Sequence, residues 1–356
     1  MRGTILLPLS APPKSICILR LSAIGDVTHV LPTVRTLQHH WPQAAITWII
    51  GKAEVGLIGD LPGVEFIVFD KKLGWSAYRS LFASLRNRQF DVLLHMQVSL
   101  RASLASLAVK APVRLGFDRA RAKNLQWLFT NCSIAARTRQ HVLDSFLEFP
   151  RALGLQETVM AWNIPIPQQA RDFVAKNIPE DRRVLAINPC SSVRSRNWRN
   201  WDIQSYAQII DHAARQYGLL TVLTGGPSAA EREYAEAIAA KAANKPINTV
   251  GRTTLKELLA VLERAEVVVA PDTGPAHMAN AVGTPVIGLY ASSNPERTGP
   301  YLFRQFTVNK YPEAVRMEFA KESDAVRWGK RVRNPDAMNL IRVADVEKRL
   351  AEILEK

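Results

Sequence analysis

The chain has 356 residues, of which 47% are apolar and 22% are charged, and 46 Lys and Arg against 32 Asp and Glu leave a formal net charge of +14. This length favours two domains over one, and the apolar fraction excludes intrinsic disorder. Three scattered cysteines exclude a disulfide scaffold or a zinc module and indicate a reducing, cytoplasmic compartment. No apolar stretch reaches the roughly 18–20 residues that a membrane span needs.

The basic excess is concentrated in the first half of the chain. Residues 1–165 hold 19 Lys and Arg against 10 Asp and Glu, whereas residues 166–356 hold 27 against 22. A basic half-chain attracts phosphates, nucleic acid or an anionic membrane surface. A solvated surface kept soluble by its charge is the alternative.

Short apolar runs alternate with helical patterns in the first half. The runs are typical of parallel strands buried on both faces, and they cover 16–21, 46–50, 64–69, 91–96 and 113–117. Between and after them, apolar residues three and four apart predict helices at 27–41, 75–88, 100–109 and 141–153.

The second half repeats this alternation. Strands are predicted at 184–187, 219–223, 247–250, 267–270 and 286–290. Helices are predicted at 203–217, 231–241, 255–264, 275–282 and 343–354. The fold class is therefore α/β, with two Rossmann-like, doubly wound domains that we expect to face each other across a cleft.

The expected domain boundaries follow from changes in composition. Residues 1–14 read as a loose leader rather than an export signal, because the apolar core of this segment is short and interrupted by proline. The N-terminal domain covers 15–165, and a Pro- and Gln-rich linker with a short polar helix covers 166–181. The C-terminal domain covers 182–335, and a terminal segment, 336–356, contributes a helix that packs back on the domains.

In open α/β sheets, ligands bind at the loops that follow the carboxyl ends of strands. The first such loop, 22–26, places Asp26 beside the start of a helix. Asp is a favoured helix cap, so Asp26 is either a cap or a catalytic carboxylate. Only one glycine stands here, where a dinucleotide fingerprint needs three.

A second loop, 271–277, contains Asp272, Thr273, Gly274 and His277. Pro275 suits the first turn of a helix, and the free N–H groups at that helix start form an anion site reinforced by the helix dipole. Capping alone explains the Asp-Thr-Gly-Pro stretch. It does not explain the neighbouring histidine, which favours a phosphate or sugar site, although a histidine whose hydrogen bonds are satisfied within the protein is the alternative.

A third loop, 188–199, combines small hydroxyl residues with three arginines within six positions. Ser191 and Ser192 at close range and Arg196 from outside suit a pyrophosphate, although a solvated basic loop is the alternative. No Asp-x-Asp pair is present to hold a divalent metal. A fourth loop, 224–227, has a Gly-Gly pair that either admits a ligand or only forms a turn.

Together these loops resemble the ADP-heptose:lipopolysaccharide heptosyltransferases of glycosyltransferase family 9. The residues that carry the resemblance are 19–32 (LRLSAIGDVTHVLP) and 271–285 (PDTGPAHMANAVGTP), with Gly288-Leu289-Tyr290 and Thr298-Gly299-Pro300 also fitting. The resemblance covers roughly residues 15–350. It implies a two-domain GT-B fold and a metal-independent, inverting transfer of heptose from ADP-heptose to the lipopolysaccharide inner core, with no cofactor.

The resemblance also implies residue roles. Asp26 matches the catalytic carboxylate of the family. The donor-binding positions that it implies are Ser191, Ser192, Arg196, Thr253, Asp272, Thr273, Gly274 and His277. Arg196 stands where the family usually has a lysine, and Arg194 or Arg199 is an alternative counterpart.

The implied acceptor is an anionic, lipid-linked saccharide, which the basic N-terminal half suits. The candidate acceptor-binding residues are Arg101, Lys110, Arg114, Arg119, Arg121 and Lys123. With no apolar anchor in the sequence, membrane contact would be peripheral, at the inner face of the cytoplasmic membrane, and sensitive to salt. A GT-B enzyme that uses another nucleotide sugar stays open, as does a basic nucleic-acid-binding protein, although no nucleic-acid-binding motif is present.

Overall fold

A computed structural model of the protein describes residues 7–191 and 198–355. It divides into two compact units, residues 1–165 and residues 166–356. Each unit is a parallel sheet with helices.

The strands of the first unit form a sheet of six within the described residues, in the order β3-β2-β1-β4-β5-β6. They are β1 Ser15–Leu19, β2 Ala45–Gly51, β3 Val64–Phe69, β4 Val92–His95, β5 Val113–Gly116 and β6 Cys132–Ser133. The helices are α1 Ile24–His40, α2 Lys52–Ile58, α3 Trp75–Leu85, α4 Leu100–Ser106 and α5 Val142–Leu153. All the paired strands run parallel, so their carboxyl ends lie at one edge of the sheet.

The second unit repeats this topology, with the strand order β12-β11-β10-β7-β8-β9 in its described part. The strands are β7 Val184–Ile187, β8 Leu220–Leu223, β9 Ile247–Asn248, β10 Val267–Pro271, β11 Val286–Tyr290 and β12 Val308–Asn309. The helices are α6 Gln168–Asn177, α7 Ile203–Tyr217, α8 Ala229–Lys241, α9 Leu255–Arg264, α10 Gly274–Ala281, α11 Pro295–Thr298, α12 Tyr311–Phe319 and α13 Val343–Leu354.

Both sheets thus have the Rossmann strand order, and the predicted fold class, α/β with two doubly wound units, is confirmed. In each unit the strand order reverses between two neighbouring strands: β1 and β4 in the first, β7 and β10 in the second. Ligands of doubly wound sheets bind at this switch point, just beyond the carboxyl ends of the strands.

Three segments that the sequence placed outside the two domains pack on these units. The backbone N–H of Leu9 donates to Leu153 O at 3.2 Å, which attaches part of the N-terminal segment to the first unit. In the second unit, α6 packs on α9, with Arg171 paired to Glu263, and α13 buries Val346 and Leu350 in the unit's own core. No helix of the described residues is both long enough and apolar enough to cross a bilayer.

Candidate functional site

Asp26 lies in the first turn of α1, directly beyond the carboxyl end of β1. Its Oδ2 atom accepts a 3.4 Å hydrogen bond from the backbone N–H of Ala23 and pairs with the guanidinium of Arg20. The other carboxylate oxygen, Oδ1, has no hydrogen-bond partner within the described part of the chain, and the side chain is 34% exposed. One oxygen therefore anchors the carboxylate to the helix start, and the other is open to a ligand.

Arg20 is a buried cation that orients this carboxylate. Its Nη1 donates to Met96 O at 2.7 Å, and its guanidinium carbon lies 5.2 Å from the centre of the Phe146 ring. Only 10% of its side chain is exposed. Because a guanidinium is planar and here has contacts on several sides, it holds the neighbouring carboxylate in one direction.

Gln97 joins the two loops at the switch point of the first unit. Its Oε1 accepts hydrogen bonds from the backbone N–H groups of Leu21 at 2.6 Å and Ser22 at 3.3 Å, and its Nε2 donates to the Ser22 hydroxyl at 3.3 Å. The loop after β1 is thereby tied to the loop after β4. Sequence reasoning missed Gln97, since a single amide after a strand carries no signal of its own.

The segment after β5, residues 117–131, is tied to the same edge by Gln126. The Gln126 side-chain amide donates to His95 O at 2.8 Å and contacts His95 Nδ1 at 3.1 Å. Burial, assisted by the charge of Arg114, lowers the pKa of His95 to about 3, so the ring is neutral at physiological pH.

The candidate acceptor-binding cations differ in how much of their side chain is available. Arg114 donates to the carbonyls of Phe129, Val109 and Ser106, at 2.6–2.9 Å, and to the Ser106 hydroxyl at 3.0 Å. Arg121 pairs with Asp118 and donates to Gln140 Oε1 at 2.6 Å, among other contacts. In contrast, Arg101, Arg119 and Lys123 are exposed. Lys110 is also exposed, but it lies before β5, at the amino end of the strand, and its Nζ donates to Arg86 O at 2.7 Å.

In the second unit, Asp272, Thr273 and His277 are buried beyond the carboxyl end of β10, where α10 begins. Pro275 stands in the first turn of α10, as its missing N–H predicts. His277 Nε2 lies 3.9 Å from Asp272 Oδ1. Thr273 precedes the helix, yet its hydroxyl does not cap it and, among the described residues, has no hydrogen-bond partner. A buried hydroxyl without a partner is unusual in a folded protein and indicates a place for a ligand atom.

Arg199 connects the loop after β7 to Asp272. Its Nη1 donates to the Asp272 carbonyl at 2.6 Å and lies 3.4 Å from the Asp272 carboxylate. The same loop is closed by Asn200, whose Oδ1 accepts from the backbone N–H of the buried Ser191 at 3.1 Å. The predicted donor residues Ser192 and Arg196, like the alternative Arg194, lie outside the described residues.

Sequence reasoning did not identify a small cleft beside Asp272. Its lining includes Ser293, Arg297, Lys330 and Arg331. The buried Ser293 hydroxyl also has no partner within the residues described here. Three cations around one cleft attract an anion. The available signal was the density of basic residues at 327–333, which holds four Lys and Arg in seven positions.

The two remaining loops that the sequence predicted, at Thr253 and at the Gly-Gly pair, do not adjoin the switch point of the second sheet. Thr253 follows β9, the outermost strand on the β7 side of the sheet, two strands from β7, which corresponds to roughly 10 Å. At the Gly-Gly pair, the backbone N–H of Gly226 donates to the Glu231 carboxylate, and a Cβ atom at Gly225 or Gly226 would contact that carboxylate. The space that these glycines leave is therefore filled by the protein's own side chain.

The chain is similar to proteins of one known family. Residues 78–327 match the family model described as glycosyltransferase family 9 (heptosyltransferase). A Haemophilus influenzae protein named lipopolysaccharide core heptosyltransferase OpsX is 40% identical over 334 residues, which is 94% of this chain and 95% of the relative.

Two solved structures share the fold. The glycosyl transferase family 9 structure from Veillonella parvula superposes with a TM-score of 0.79 at 22% identity, covering 96% of this chain and 97% of that one. The structure of E. coli ADP-heptose lps heptosyltransferase II superposes with a TM-score of 0.73 at 20% identity, covering 96% and 98%. The expected GT-B fold is thus confirmed, and the chain belongs to glycosyltransferase family 9, the heptosyltransferases.

Proposed function

We propose that this heptosyltransferase moves heptose from ADP-heptose to a sugar of the lipopolysaccharide inner core, with inversion at the anomeric carbon and without a metal ion. The names of its H. influenzae relative and its E. coli structural neighbour support the acceptor and the donor. The observation that carries the proposal is the Asp26 carboxylate, which Arg20 holds by Oδ2 at the switch-point edge of the first sheet while, among the described residues, Oδ1 has no partner.

In this mechanism the acceptor hydroxyl oxygen attacks the anomeric carbon as Asp26 Oδ1 takes its proton. The bond from the anomeric carbon to the ADP oxygen breaks on the opposite face, and ADP leaves with the electron pair. A positioned general base contributes about 10²–10⁴-fold to the rate. The fixed pairing with Arg20 keeps Asp26 from reorienting, so that the base is in place before the acceptor binds.

The donor diphosphate is proposed to bind in the second unit. Ser191, Thr273 and Ser293 would meet its oxygens, and the cations around the cleft beside Asp272, together with Ser192 and Arg196, would balance its charge. Fixed donors and cations aimed at the departing phosphate stabilise the charge that develops there. His277 and Gly274 would contact the same group at the start of α10, and Thr253 would contact the nucleoside.

The nucleotide preference tests this proposal. Titration calorimetry should show ADP binding at least tenfold tighter than UDP or GDP, and mass spectrometry should show one heptose added to a truncated core acceptor from ADP-heptose. The rate should be unchanged by EDTA, and the product should have the anomeric configuration opposite to that of the donor. Preference for UDP or GDP would instead assign the chain another nucleotide sugar, and nucleic-acid binding with no ADP affinity would contradict the proposal.

The exposed cations that follow the carboxyl ends of β4 and β5 are Arg101, Arg119 and Lys123. They are proposed to bind the acceptor phosphates and acidic sugars. Replacing Arg119 and Lys123 together by glutamine should raise the acceptor KM by up to about thirtyfold, since each exposed charge contributes about 1 kcal/mol or less, and leave the donor KM unchanged. Arg114→Gln should act differently, because it removes hydrogen bonds to buried carbonyls. It should lower the free energy of unfolding by about 2–3 kcal/mol, measured in urea. A donor KM that rises with the acceptor KM in the Arg119/Lys123 variant would contradict the acceptor assignment.

We also place the enzyme in the cytoplasm, in peripheral contact with the inner face of the membrane. The basic first unit supports this placement, since it would meet anionic lipid.

A further inference from the structure

Helix α3 has an exposed stripe of aromatic and basic residues. Its buried face consists of Ala77, Leu81 and Leu85. A second face of the helix carries residues at spacings of four, three and four, namely Trp75, Arg79, Phe82 and Arg86. The Trp75 side chain is 74% exposed and that of Phe82 is 46% exposed.

The turn before α3 extends this stripe. Lys71, Lys72 and Leu73 form a short 3₁₀ turn after β3, and Leu73 is 57% exposed. We call the combined set the α3 surface: Lys71, Lys72, Leu73, Trp75, Arg79, Phe82 and Arg86. Beside this surface, the Trp75 ring lies against Tyr78, at 5.4 Å between ring centres.

The charge of the α3 surface has one sign. Residues 71–87 contain four Lys and Arg and no Asp or Glu. The neighbouring carboxylate, Asp70, pairs with Lys52 at 3.0 Å and accepts the backbone N–H of Lys72. The surface thus presents a net positive charge together with large apolar side chains that water solvates poorly.

This combination fits an anionic lipid surface. Trp and Phe are suited to the boundary between headgroups and acyl chains, and Lys and Arg extend to the lipid phosphates. The position of the α3 surface in the first unit also supports an anionic bilayer as its partner. The 71–73 turn follows the carboxyl end of β3, and Asp26 follows the carboxyl end of β1 in the same parallel sheet. Only β2 lies between these two strands, which are therefore roughly 10 Å apart. A bilayer that contacts the Lys71–Trp75 end of this surface would keep a lipid-linked acceptor at the edge of the sheet that carries the proposed catalytic carboxylate.

We propose that the α3 surface docks the enzyme on an anionic bilayer, with Trp75 and Phe82 entering the headgroup boundary and Lys71, Lys72, Arg79 and Arg86 binding lipid phosphates. The link to catalysis rests on the proposed lipid-linked acceptor. The docking itself is measured without substrate, so its failure and the failure of the proposed transfer are distinguishable.

The test is co-sedimentation of the full chain with vesicles of phosphatidylcholine containing 30% phosphatidylglycerol, compared with phosphatidylcholine alone. We expect binding to the anionic vesicles that weakens steeply between 0.1 and 0.5 M NaCl. Replacing Lys71 and Lys72 by glutamine should weaken the partition about 25-fold, or about fivefold for each charge. Replacing Trp75 and Phe82 by serine should weaken it at least tenfold, and brominated lipids should quench the fluorescence of the unchanged protein more than that of Trp75→Phe.

Matched controls come from exposed positions of the second unit. Lys321→Gln with Lys348→Gln removes two exposed cations, and Leu302→Ser with Met317→Ser removes two exposed apolar side chains. These variants should bind vesicles as the unchanged protein does, and ADP affinity should be unchanged in every variant. Vesicle binding that survives both α3 substitutions would overturn the proposal. The proposal would also be overturned if the α3 substitutions left vesicle binding unchanged but abolished self-association in sedimentation. The α3 surface would then bind a second copy of the chain.

Discussion

Asp26→Asn should lower kcat for heptose transfer by about 10³-fold or more, with ADP affinity unchanged. The substitution removes the proton acceptor, and a positioned general base contributes about 10²–10⁴-fold. Asparagine can still accept the N–H of Ala23, so the start of α1 keeps its hydrogen bond. The rate is measured under single-turnover conditions, and ADP affinity by calorimetry.

Asp60→Asn is the matched control, because it makes the same chemical change at an exposed position of the first unit. It should retain full activity. A thermal unfolding curve shows whether the variant is still folded, since Asp26→Asn also leaves the buried Arg20 without its carboxylate. If Asp26→Asn turned over at more than a tenth of the normal rate, Asp26 would not be the base. If it lost ADP affinity with kcat preserved, the assignment of donor and base to separate units would be wrong.

Arg199→Gln should weaken ADP binding by tenfold to a hundredfold, which corresponds to about 1.4–2.8 kcal/mol. Arg199 joins the loop after β7 to Asp272, and the proposed donor residues stand on these two loops. Without this link the binding groups must be ordered by the ligand, and that ordering costs binding free energy. The buried Asp272 carboxylate would also lose its cation, which should lower the free energy of unfolding by about 3 kcal/mol.

Arg183→Gln is the control for this prediction. Arg183 makes an Arg–carboxylate pair with Glu266 in the same unit, but half of the Arg183 side chain is exposed. Exposed pairs contribute about 1 kcal/mol or less, so stability should change little and ADP affinity not at all. Equal effects of the two substitutions on ADP affinity would show that Arg199 acts only through general stability.

The two units position their candidate site residues by the same topology. In each, the strand order reverses at the strand that begins the unit, and the loops on either side of the reversal are joined by a side chain: Gln97 in the first unit and Arg199 in the second. The joined loops carry Asp26 in one unit and Asp272 in the other. Substitution of Gln97 or Arg199 should therefore lower the transfer rate or the ligand affinity, although neither residue is proposed to contact the reacting atoms.

Regular elements could be predicted where the periodicity was strong. The strands 64–69, 184–187 and 286–290 and the helices 203–217, 255–264 and 343–354 agree with the structure to the residue. Helix α2 was missed, because it has only seven residues and follows β2 without a loop. The strands β6 and β12 have two residues each and carry no periodic signal.

By itself the sequence determined the alternation of strands and helices, the two-domain α/β fold and the loops that hold the candidate site, because these depend on local periodicity and on helix-start chemistry. Only the tertiary structure decided what each side chain meets. It separated Arg114, engaged with buried carbonyls, from the exposed Arg119; it left the Thr273 hydroxyl without a partner among the described residues; and it exposed Trp75 on a helix whose opposite face is buried. Such partners are distant in sequence, so their contacts arise only when the sheet brings the carboxyl ends of its strands to one edge.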